Sequence, residues 1–353
     1  MTMSENLIFS IEKHVGLITL NRPAALNALT HPMILALHEQ LQAWETDTII
    51  HAIVIQAADG RAFCAGGDVR AVYEAGHHNP LAALSFFRDE YRLNHFIHNL
   101  KKPYIALMDG LTLGGGVGIS LHGSHPVASD RFAFAMPETS IGFFPDIGSS
   151  HLLSRYPNGS GQYLGLTGHR LNPLEARALG LIHSVIPAHA MPLLLASLIN
   201  ANLTQNAHAA VDACLRPYQQ PHTTTPGLVH AEEIATCFSQ PSVLSILQSL
   251  DNLGNDWARE TQLTLLQKAP MSLHVTLEQL QRAKGMNLAE CLQMDYGLTY
   301  HFMQKPDFYE GVRALLIDKD KSPRWTPASL DAVDLNEVAT YFVAPLDDAL
   351  PLW

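Results

Sequence analysis

Two clusters of glycine in the first half of the sequence could present backbone amides to a ligand. Gly66-Gly67 follows one apolar, strand-like run, and Gly114-Gly115-Gly116 follows another. Glycine lets the backbone approach a ligand closely, and the first amides of a helix have no partner inside that helix. The amides near Gly67 and Gly115 could therefore act together as an oxyanion hole. The alternative is that these glycines only permit tight turns from strand to helix.

Two carboxylates follow the second glycine cluster, at Glu138 and Asp146. Glu138 comes directly after Pro137 at the end of an apolar run. We expect its carboxyl in a partly dry pocket, where desolvation raises the pKa and makes the group usable as a base or nucleophile. Asp146 follows Pro145 among apolar neighbours. Either carboxylate could instead cap a helix or lie on the surface. Amide donors beside carboxylates indicate acyl transfer or acyl activation.

The elements around these residues repeat a strand, a glycine-rich loop and a helix. Alternating residue types predict a β-hairpin over residues 7–20, and Thr30 predicts the cap of a helix with apolar positions at Ile34, Leu37, Leu41 and Trp44. Further strands are predicted at 52–57, 126–128, 132–135 and 182–185 and at the run starting with Tyr104, with helices at 81–100 and 173–179. The repetition indicates an α/β core.

The sequence changes character beyond Pro187, where long helical segments are interrupted by proline or glycine. Helices are predicted at 193–203, 229–238, 243–250, 258–267, 273–282 and 288–303, with an exposed connector at 219–227. We expect an α/β core over residues 1–200. A helical region over residues 201–353 would pack on that core or on a neighbouring subunit.

The composition excludes several classes of protein. A formal net charge of -11 argues against a nucleic-acid surface, which relies on a basic footprint. No apolar run approaches the length that a membrane span needs. The four cysteines show no zinc-type spacing and are expected as reduced thiols, and the first residues are too few and too polar for a signal or transit peptide. These features predict a cytoplasmic protein without a membrane segment.

Other motifs fail at particular residues. A dinucleotide-binding loop at Gly114 would need its third glycine where Ile119 stands, and a serine-hydrolase elbow around Ser120 would need glycine where His122 stands. The pairs His95-x-x-His98 and His122-x-x-His125 have helical spacing but no accompanying HExxH or carboxylate motif. We therefore predict no metal site there.

Taken in order, the motifs resemble those of the crotonase (enoyl-CoA hydratase/isomerase) superfamily, and more narrowly its 3-hydroxyisobutyryl-CoA hydrolase branch. The superfamily motifs are Asn21-Arg22-Pro23, Leu26-Asn27-Ala28-Leu29, the stretch 62–68, Gly114-Gly115-Gly116 and Pro137-Glu138. The motifs of the narrower branch are Phe86-Phe87-Arg88-Asp89-Glu90-Tyr91, Met136-Pro137-Glu138-Thr139, Phe144-Pro145-Asp146-Ile147-Gly148, Asp307-Phe308-Tyr309-Glu310-Gly311-Val312-Arg313 and Leu316-Ile317-Asp318-Lys319-Asp320.

The resemblance implies a crotonase-like spiral of repeated β-β-α units with a helical C-terminal region. It implies Gly67 and Gly115 as oxyanion donors to a thioester, Glu138 and Asp146 as catalytic carboxylates, and Glu90, Gly115, Glu138 and Asp146 around the acyl group. The activity implied is hydrolysis of a short 3-hydroxyacyl-CoA, with 3-hydroxyisobutyryl-CoA favoured, as in valine catabolism. Coenzyme A would be part of the substrate, so no cofactor is expected. Members often form homo-oligomers, either trimers or hexamers.

One departure separates this sequence from the hydratases of the superfamily. They place a second catalytic glutamate three positions after the middle glycine, where this chain has Gly118. An enoyl-CoA hydratase or isomerase remains the alternative enzyme, and a non-catalytic acyl-CoA-binding protein is the second alternative. Arg22, Lys101 and Lys102 are candidates for contacts to the CoA phosphates. The C-terminal motif is expected either to pack, with Arg313 and Asp318 in ion pairs, or to contact substrate.

Overall fold

The structure is a computed structural model that describes residues 5–58, 61–182, 184–219 and 227–343. Within these residues, strands and helices mix through the first half of the chain, and helices fill the second half. The strands are β1 (Leu7–Glu12), β2 (Val15–Leu20), β3 (Ala52–Ala57), β4 (Ala62–Cys64), β5 (Tyr104–Met108), β6 (Leu111–Leu113), β7 (His125–Ser129), β8 (Ala133–Ala135) and β9 (Ser184–Ile186). The predicted α/β class is confirmed.

The helices of the first half include the predicted ones at Thr30 and Asn172. They are α1 (His31–Thr46), α2 (Val69–His78), α3 (Pro80–Asn99), α4 (Gly115–Gly118), α5 (Ser149–Leu153), α6 (Ser160–Thr167) and α7 (Pro173–Ala178). Those that follow are α8 (Met191–Asn200), α9 (Ala207–Leu215), α10 (Ala231–Phe238), α11 (Val243–Leu253), α12 (Asp256–Leu266), α13 (Pro270–Arg282), α14 (Leu288–Met303), α15 (Pro306–Val312) and α16 (Leu335–Tyr341). Sequence patterns did not predict α5, α6, α9, α15 and α16. Most of the predicted connector, residues 220–226, lies outside the described residues.

A six-stranded sheet in the order β1-β2-β3-β5-β7-β9 forms the main layer of the first half. The predicted hairpin pairs β1 with β2 antiparallel, and every later neighbour in this sheet is parallel. Parallel strands are buried on both faces and therefore read as continuous apolar runs, as β5 does. Val54, Ile105 and Val127 from successive strands pack with Leu194 and Leu198 of α8.

The chain folds as two compact units that are discontinuous in sequence. The first comprises Met1–Gly67, Arg92–Phe134 and Leu171–Gly227, and the second comprises Asp68–Tyr91, Ala135–Arg170 and Leu228–Trp353. The predicted division at residue 200 stays a prediction, because each of these units consists of three separate segments of the chain. The first unit also holds a three-stranded sheet in the order β4-β6-β8.

Aromatic side chains form much of the core of the second unit. The Phe143 ring stacks on Phe87 at a centroid distance of 5.3 Å and meets Phe302 and Phe308 edge-on at 5.5 and 5.6 Å. Offset and edge-to-face pairs of this kind add to the stabilisation that burial alone provides. This cluster therefore holds the segment between Glu138 and Asp146 against α14 and α15. No helix among the described residues is both long enough and apolar enough to span a bilayer.

Candidate active site

The two glycine-rich loops meet at one edge of the small sheet in the first unit. Strands β4 and β6 are parallel neighbours, so the loops that follow them leave from the same edge. A methyl group placed on Gly66 would lie 3.5 Å from the Gly115 nitrogen, and one placed on Gly116 would lie 2.4 Å from the Cys64 carbonyl oxygen. Such close approach of two backbones explains why this junction requires glycine.

The structure places the amides of Gly67 and Gly115, both predicted as oxyanion donors, on these adjoining loops. Neither amide donates a backbone hydrogen bond in the turns and loops of the described residues. Gly66 and Gly114 have φ angles of 106° and 46°, in the region that side chains disfavour. The assignment of these two amides as oxyanion donors stays a prediction.

The second unit gathers the three predicted carboxylates, Glu90, Glu138 and Asp146. Their side chains are buried, with exposed fractions of 2%, 7% and 5%. Burial raises the pKa of Glu90 well above its ordinary value, and the Asp146 charge raises it further. Burial does the same to the pKa of Glu138, followed by the charge of Asp146 and, more weakly, that of Glu90. The structure therefore brings these carboxylates together in one electrostatically coupled group.

Asp146 accepts a hydrogen bond from a buried tyrosine hydroxyl, which stabilises its charge. Burial raises its pKa to about 7, and a hydrogen bond from Tyr91 opposes that rise. The Tyr91 hydroxyl lies 2.7 Å from Asp146 Oδ2 and 2.9 Å from Thr299 Oγ1. A carboxyl with a pKa near neutrality can exchange protons at physiological pH.

Two side chains from the C-terminal helices hold the backbone on both sides of Asp146. Asp295 on α14 accepts a hydrogen bond from the Gly148 amide at 2.7 Å. Gln279 on α13 donates to the Pro145 carbonyl at 2.9 Å and to Asp295 at 2.8 Å. Between them, Ile147 has a φ of 57°, which a β-branched residue rarely adopts and which costs about 1–3 kcal/mol. Gln279 and Asp295 therefore form a clamp that keeps Asp146 on a strained loop.

Glu138 begins a 3-10 helix, Glu138–Ile141, that other parts of the second unit support. Lys268 donates to the Ser140 hydroxyl at 2.7 Å, and the Ala269 amide donates to the Thr139 carbonyl at 3.1 Å. Desolvation lowers the pKa of Lys268 to about 8, while the Glu138 charge opposes that change. The ammonium group in turn lowers the pKa of Glu138. Lys268 is thus a nearby cation that favours the ionised form of Glu138.

The side chains of α13 and α14 that support the Asp146 loop belong to no recognisable motif. Helix α14 buries Cys291, Leu292, Tyr296, Leu298 and Phe302 on one face, and Asp295 and Thr299 are fully buried among them. Polar residues on the apolar face of a helix need buried hydrogen-bond partners. The position of Asp295 and Thr299 on such a face was the one sequence signal that could have identified them.

The matching family model settles what kind of protein has this arrangement. The model, described as Enoyl-CoA hydratase/isomerase, matches residues 15–342. The chain belongs to the enoyl-CoA hydratase/isomerase family. Similar curated relatives are named 3-hydroxyisobutyryl-CoA hydrolase, mitochondrial. The one from Xenopus tropicalis is 41% identical over 93% of this chain and 86% of its own, and the one from Homo sapiens is 38% identical over 96% and 89%.

Two solved structures of the enoyl-CoA hydratase/isomerase family share both fold and sequence with this chain. A carnitinyl-CoA dehydratase from Mycobacterium thermoresistibile is 35% identical, covers 99% of both chains and superimposes with a TM-score of 0.91. An enoyl-CoA hydratase from Rhodobacter sphaeroides 2.4.1 is 35% identical, covers 98% of this chain and 99% of its own, and gives a TM-score of 0.88. The predicted crotonase fold is confirmed.

Asn94 lies against the position that carries a second glutamate in the hydratase pattern of the family. A methyl group on Gly118 would lie 2.6 Å from Asn94 Nδ2 and 3.0 Å from its Cγ. Asn94 is fully buried, so it has little room to move. A glutamate at 118 would therefore require Asn94 to be displaced.

Gly118→Ala is expected to lower the free energy of unfolding by about 1–3 kcal/mol, because the added methyl group overpacks the contact with Asn94. Urea denaturation measures this change. Gly297→Ala is the matched control, since a methyl group on this helical glycine would meet nothing within 4 Å. Alanine there should leave stability unchanged or raise it. Equal stability of Gly118→Ala and wild type would contradict the contact.

The C-terminal motif of this family member packs on the helix that carries Glu138. A methyl group on Gly311 would lie 2.4 Å from the Ile141 carbonyl group, and one on Gly142 would lie 2.2 Å from the Asp307 carbonyl oxygen. The predicted ion pair of Arg313 with Asp318 is present at 2.7 Å, and Arg313 also pairs with Glu310 and Asp320. The motif therefore has the packing role that was one of its two predicted uses.

Three basic residues were candidates for contacts to the CoA phosphates. Lys102 donates to the Asp47 carbonyl at 2.6 Å, at the end of α1, and Arg22 donates to the Ala28 carbonyl at 3.0 Å. Lys101 is exposed, and its amide donates to Glu45. These bonds use Lys102 and Arg22 inside the fold and give no support to CoA-phosphate contacts from either. In the described ranges, no three His, Cys, Asp or Glu side chains are grouped to hold a metal ion.

Proposed function

We propose that this protein hydrolyses a short 3-hydroxyacyl-CoA thioester, with 3-hydroxyisobutyryl-CoA favoured, to coenzyme A and the free 3-hydroxy acid. The observation that carries the proposal is the buried group of Glu90, Glu138 and Asp146, in which only Asp146 is bound by a tyrosine hydroxyl. Relatives about 40% identical over most of the chain are named 3-hydroxyisobutyryl-CoA hydrolase, which supports the same activity.

The proposed chemistry begins at the thioester carbonyl. The amides of Gly67 and Gly115 donate to its oxygen and stabilise the negative charge that develops there. In one route, Glu138 attacks the carbonyl carbon, the carbon–sulfur bond breaks, and coenzyme A leaves as a thiolate from a mixed anhydride that water then hydrolyses. In the other, Glu138 removes a proton from a water molecule that attacks directly. Both routes consume one water and give the same products.

The other carboxylates are assigned supporting roles in this proposal. Asp146 accepts a hydrogen bond from the 3-hydroxyl group of the substrate or relays a proton, for which a pKa of about 7 is suited. Glu90 shapes the acyl site, and its raised pKa favours the neutral form beside the other two. The substrate brings its own coenzyme A, so the proposed steps use no cofactor.

A second candidate activity is addition of water to an enoyl-CoA, or isomerisation of its double bond. It is favoured by the two solved structures at 35% identity, a carnitinyl-CoA dehydratase and an enoyl-CoA hydratase. Gly118 weighs against hydration, because it cannot titrate and is packed on Asn94. An isomerase that uses one carboxylate would tolerate this change better than a hydratase would.

Purified protein is expected to release free thiol from 3-hydroxyisobutyryl-CoA and 3-hydroxypropionyl-CoA, and to hydrate crotonyl-CoA far more slowly. A thiol-specific reagent follows the first reaction, and loss of the enoyl absorbance follows the second. Hydration without thiol release would overturn the hydrolase proposal in favour of the second candidate. Activity in neither assay would favour a non-catalytic acyl-CoA-binding protein.

The proposal extends to a role in valine degradation, a cytoplasmic location and a homo-oligomer of three or six copies. The family resemblance supports the first and last of these. The relatives at about 40% identity are named mitochondrial, so fractionation of the source cells decides the location. Light scattering coupled to size-exclusion chromatography decides the oligomeric state.

A further inference from the structure

We propose that Tyr91 is a positioning residue for Asp146, and that Thr299 acts through Tyr91 to fix the direction of its hydroxyl proton. The inference rests on the proposed function, in which Asp146 acts on substrate. It gives a role to Thr299, which lies outside the family motifs, and to Tyr91, which ends one of them without an assigned role.

The hydrogen-bond geometry allows one arrangement of protons when Asp146 is ionised. The Tyr91 hydroxyl has a single hydrogen, and an ionised carboxylate only accepts, so the hydrogen lies toward Asp146 Oδ2 at 2.7 Å. Thr299 Oγ1, 2.9 Å from the same hydroxyl oxygen, must then be the donor. Thr299, Tyr91 and Asp146 thus form a chain of two bonds that point the same way.

The surroundings explain why such a donor matters. Asp146 faces Glu90 from α3, Glu138 from the 3-10 helix and Asp295 from α14, while the cation Lys268 acts on Glu138. Like charges in one buried group oppose each other's ionisation. Tyr91 is fully buried, and burial together with the Asp146 charge raises its pKa well above the ordinary range, so it remains a donor. The hydrogen bond from Tyr91 therefore favours the ionised form of Asp146.

The fold gives Tyr91 and Thr299 a fixed geometry. Tyr91 lies one residue after Glu90 on α3, and Thr299 lies one turn after Asp295 on α14. Asp295 also binds the Gly148 amide. The same face of α14 therefore holds the backbone of the Asp146 loop and orients the hydroxyl that binds its side chain.

Tyr91→Phe removes the bond and keeps the ring. The acid limb of the pH profile for thiol release is expected to move to higher pH by about 1–2 units, because a hydrogen bond to the ionised form is lost. Thr299→Val should shift the limb in the same direction by less, and should add no shift in the Tyr91→Phe background. An unshifted limb in active Tyr91→Phe protein would overturn the inference and leave the proposed function intact.

Unfolding measurements test the inference even if the protein releases no thiol. The sign follows from linkage: the folded pKa of Asp146, about 7, lies above its ordinary 3.8, and losing Tyr91 raises it further. Tyr91→Phe should therefore destabilise the protein more at pH of about 8.5 than at about 5.5, on either side of that pKa. In the Asp146→Asn background the loss should not depend on pH.

Tyr104→Phe is the matched control for the unfolding experiment. Its buried hydroxyl donates to the Ile119 carbonyl at 2.9 Å, an acceptor that does not titrate. Its loss of stability should be equal at both pH values. If Tyr91→Phe behaved like Tyr104→Phe, with the same loss at both pH values, Tyr91 would be a structural residue only and the inference would be wrong.

Discussion

Glu138→Gln is expected to lower kcat for thioester hydrolysis by about 10²–10⁴-fold, because the amide neither attacks a carbonyl nor accepts a proton from water. The substitution keeps the size of the side chain and the 3-10 helix that begins there. KM should change far less than kcat, since the glycine amides that are proposed to bind the thioester oxygen are untouched. Steady-state kinetics of thiol release measures both constants.

The same substitution should leave stability unchanged or increase it. Glu138 is buried, its Oε2 atom has no hydrogen-bond partner among the described residues, and its folded pKa lies well above 4.5. A carboxyl with a raised folded pKa costs stability as pH rises above its unfolded pKa, and a neutral amide avoids that cost. An active site often carries such a cost because function requires the group.

A matched control separates loss of this carboxylate from loss of any buried glutamate. Glu175 is also buried, and its carboxylate accepts a hydrogen bond from the Asn172 amide in the capping box of α7. Glu175→Gln should weaken that cap and leave kcat near wild type. Near-normal turnover by folded Glu138→Gln would exclude the proposed role of Glu138.

Asp146→Asn is expected to lower kcat/KM by about 10²-fold or more for 3-hydroxyacyl thioesters, and by less for acyl thioesters without the hydroxyl. The reason is that Asp146 is proposed to accept a bond from that hydroxyl. Kinetics with 3-hydroxyisobutyryl-CoA and isobutyryl-CoA give the two values. An equal loss for both substrates would contradict hydroxyl recognition by Asp146.

The residual activity of Asp146→Asn should show its own pH dependence. The Asp146 charge raises the pKa of both Glu138 and Glu90, so removing it should move the acid limb to lower pH. Tyr91→Phe should move that limb the opposite way. Asp307→Asn is the control, since Asp307 is a buried carboxyl with a pKa raised to about 6 that accepts from the Thr326 amide. It should leave both kcat and the limb unchanged.

Local sequence patterns predicted those strands and helices that are determined by residues close together in the sequence. Alternation and the turn around His14 predicted the β1–β2 pair, and Thr30 accepts from the Met33 amide as a cap should. The two glycine clusters predicted that the two loops meet. At position 116, only glycine fits against the Cys64 carbonyl group. Helix α15 was missed since its seven residues carry too short an apolar pattern to distinguish a helix from a loop.

The residues of the candidate site also fall into those that the sequence predicted and those that it could not predict. Glu138 and Asp146 stand beside prolines in apolar surroundings, which predicted a partly dry pocket for Glu138 but left a capping or surface position open for both. Asp295, Gln279 and Thr299 could not be assigned, because periodicity predicts which face of a helix is buried but not which distant loop it contacts. Gln279 and Asp295 lie more than a hundred residues along the chain from Pro145 and Gly148, the backbone that they bind. Only the fold brings them together.

The clamp on the Asp146 loop also bears on biosynthesis. A ribosome completes Glu138 and Asp146, the two proposed catalytic carboxylates, well before it reaches Gln279 and Asp295, which hold the backbone around Ile147. Until α13 and α14 emerge, the hydrogen bonds from Gln279 and Asp295 cannot oppose relaxation of that left-handed residue. A nascent chain would thus carry the proposed catalytic groups long before it could use them, and turnover would begin only after α14 has been synthesised.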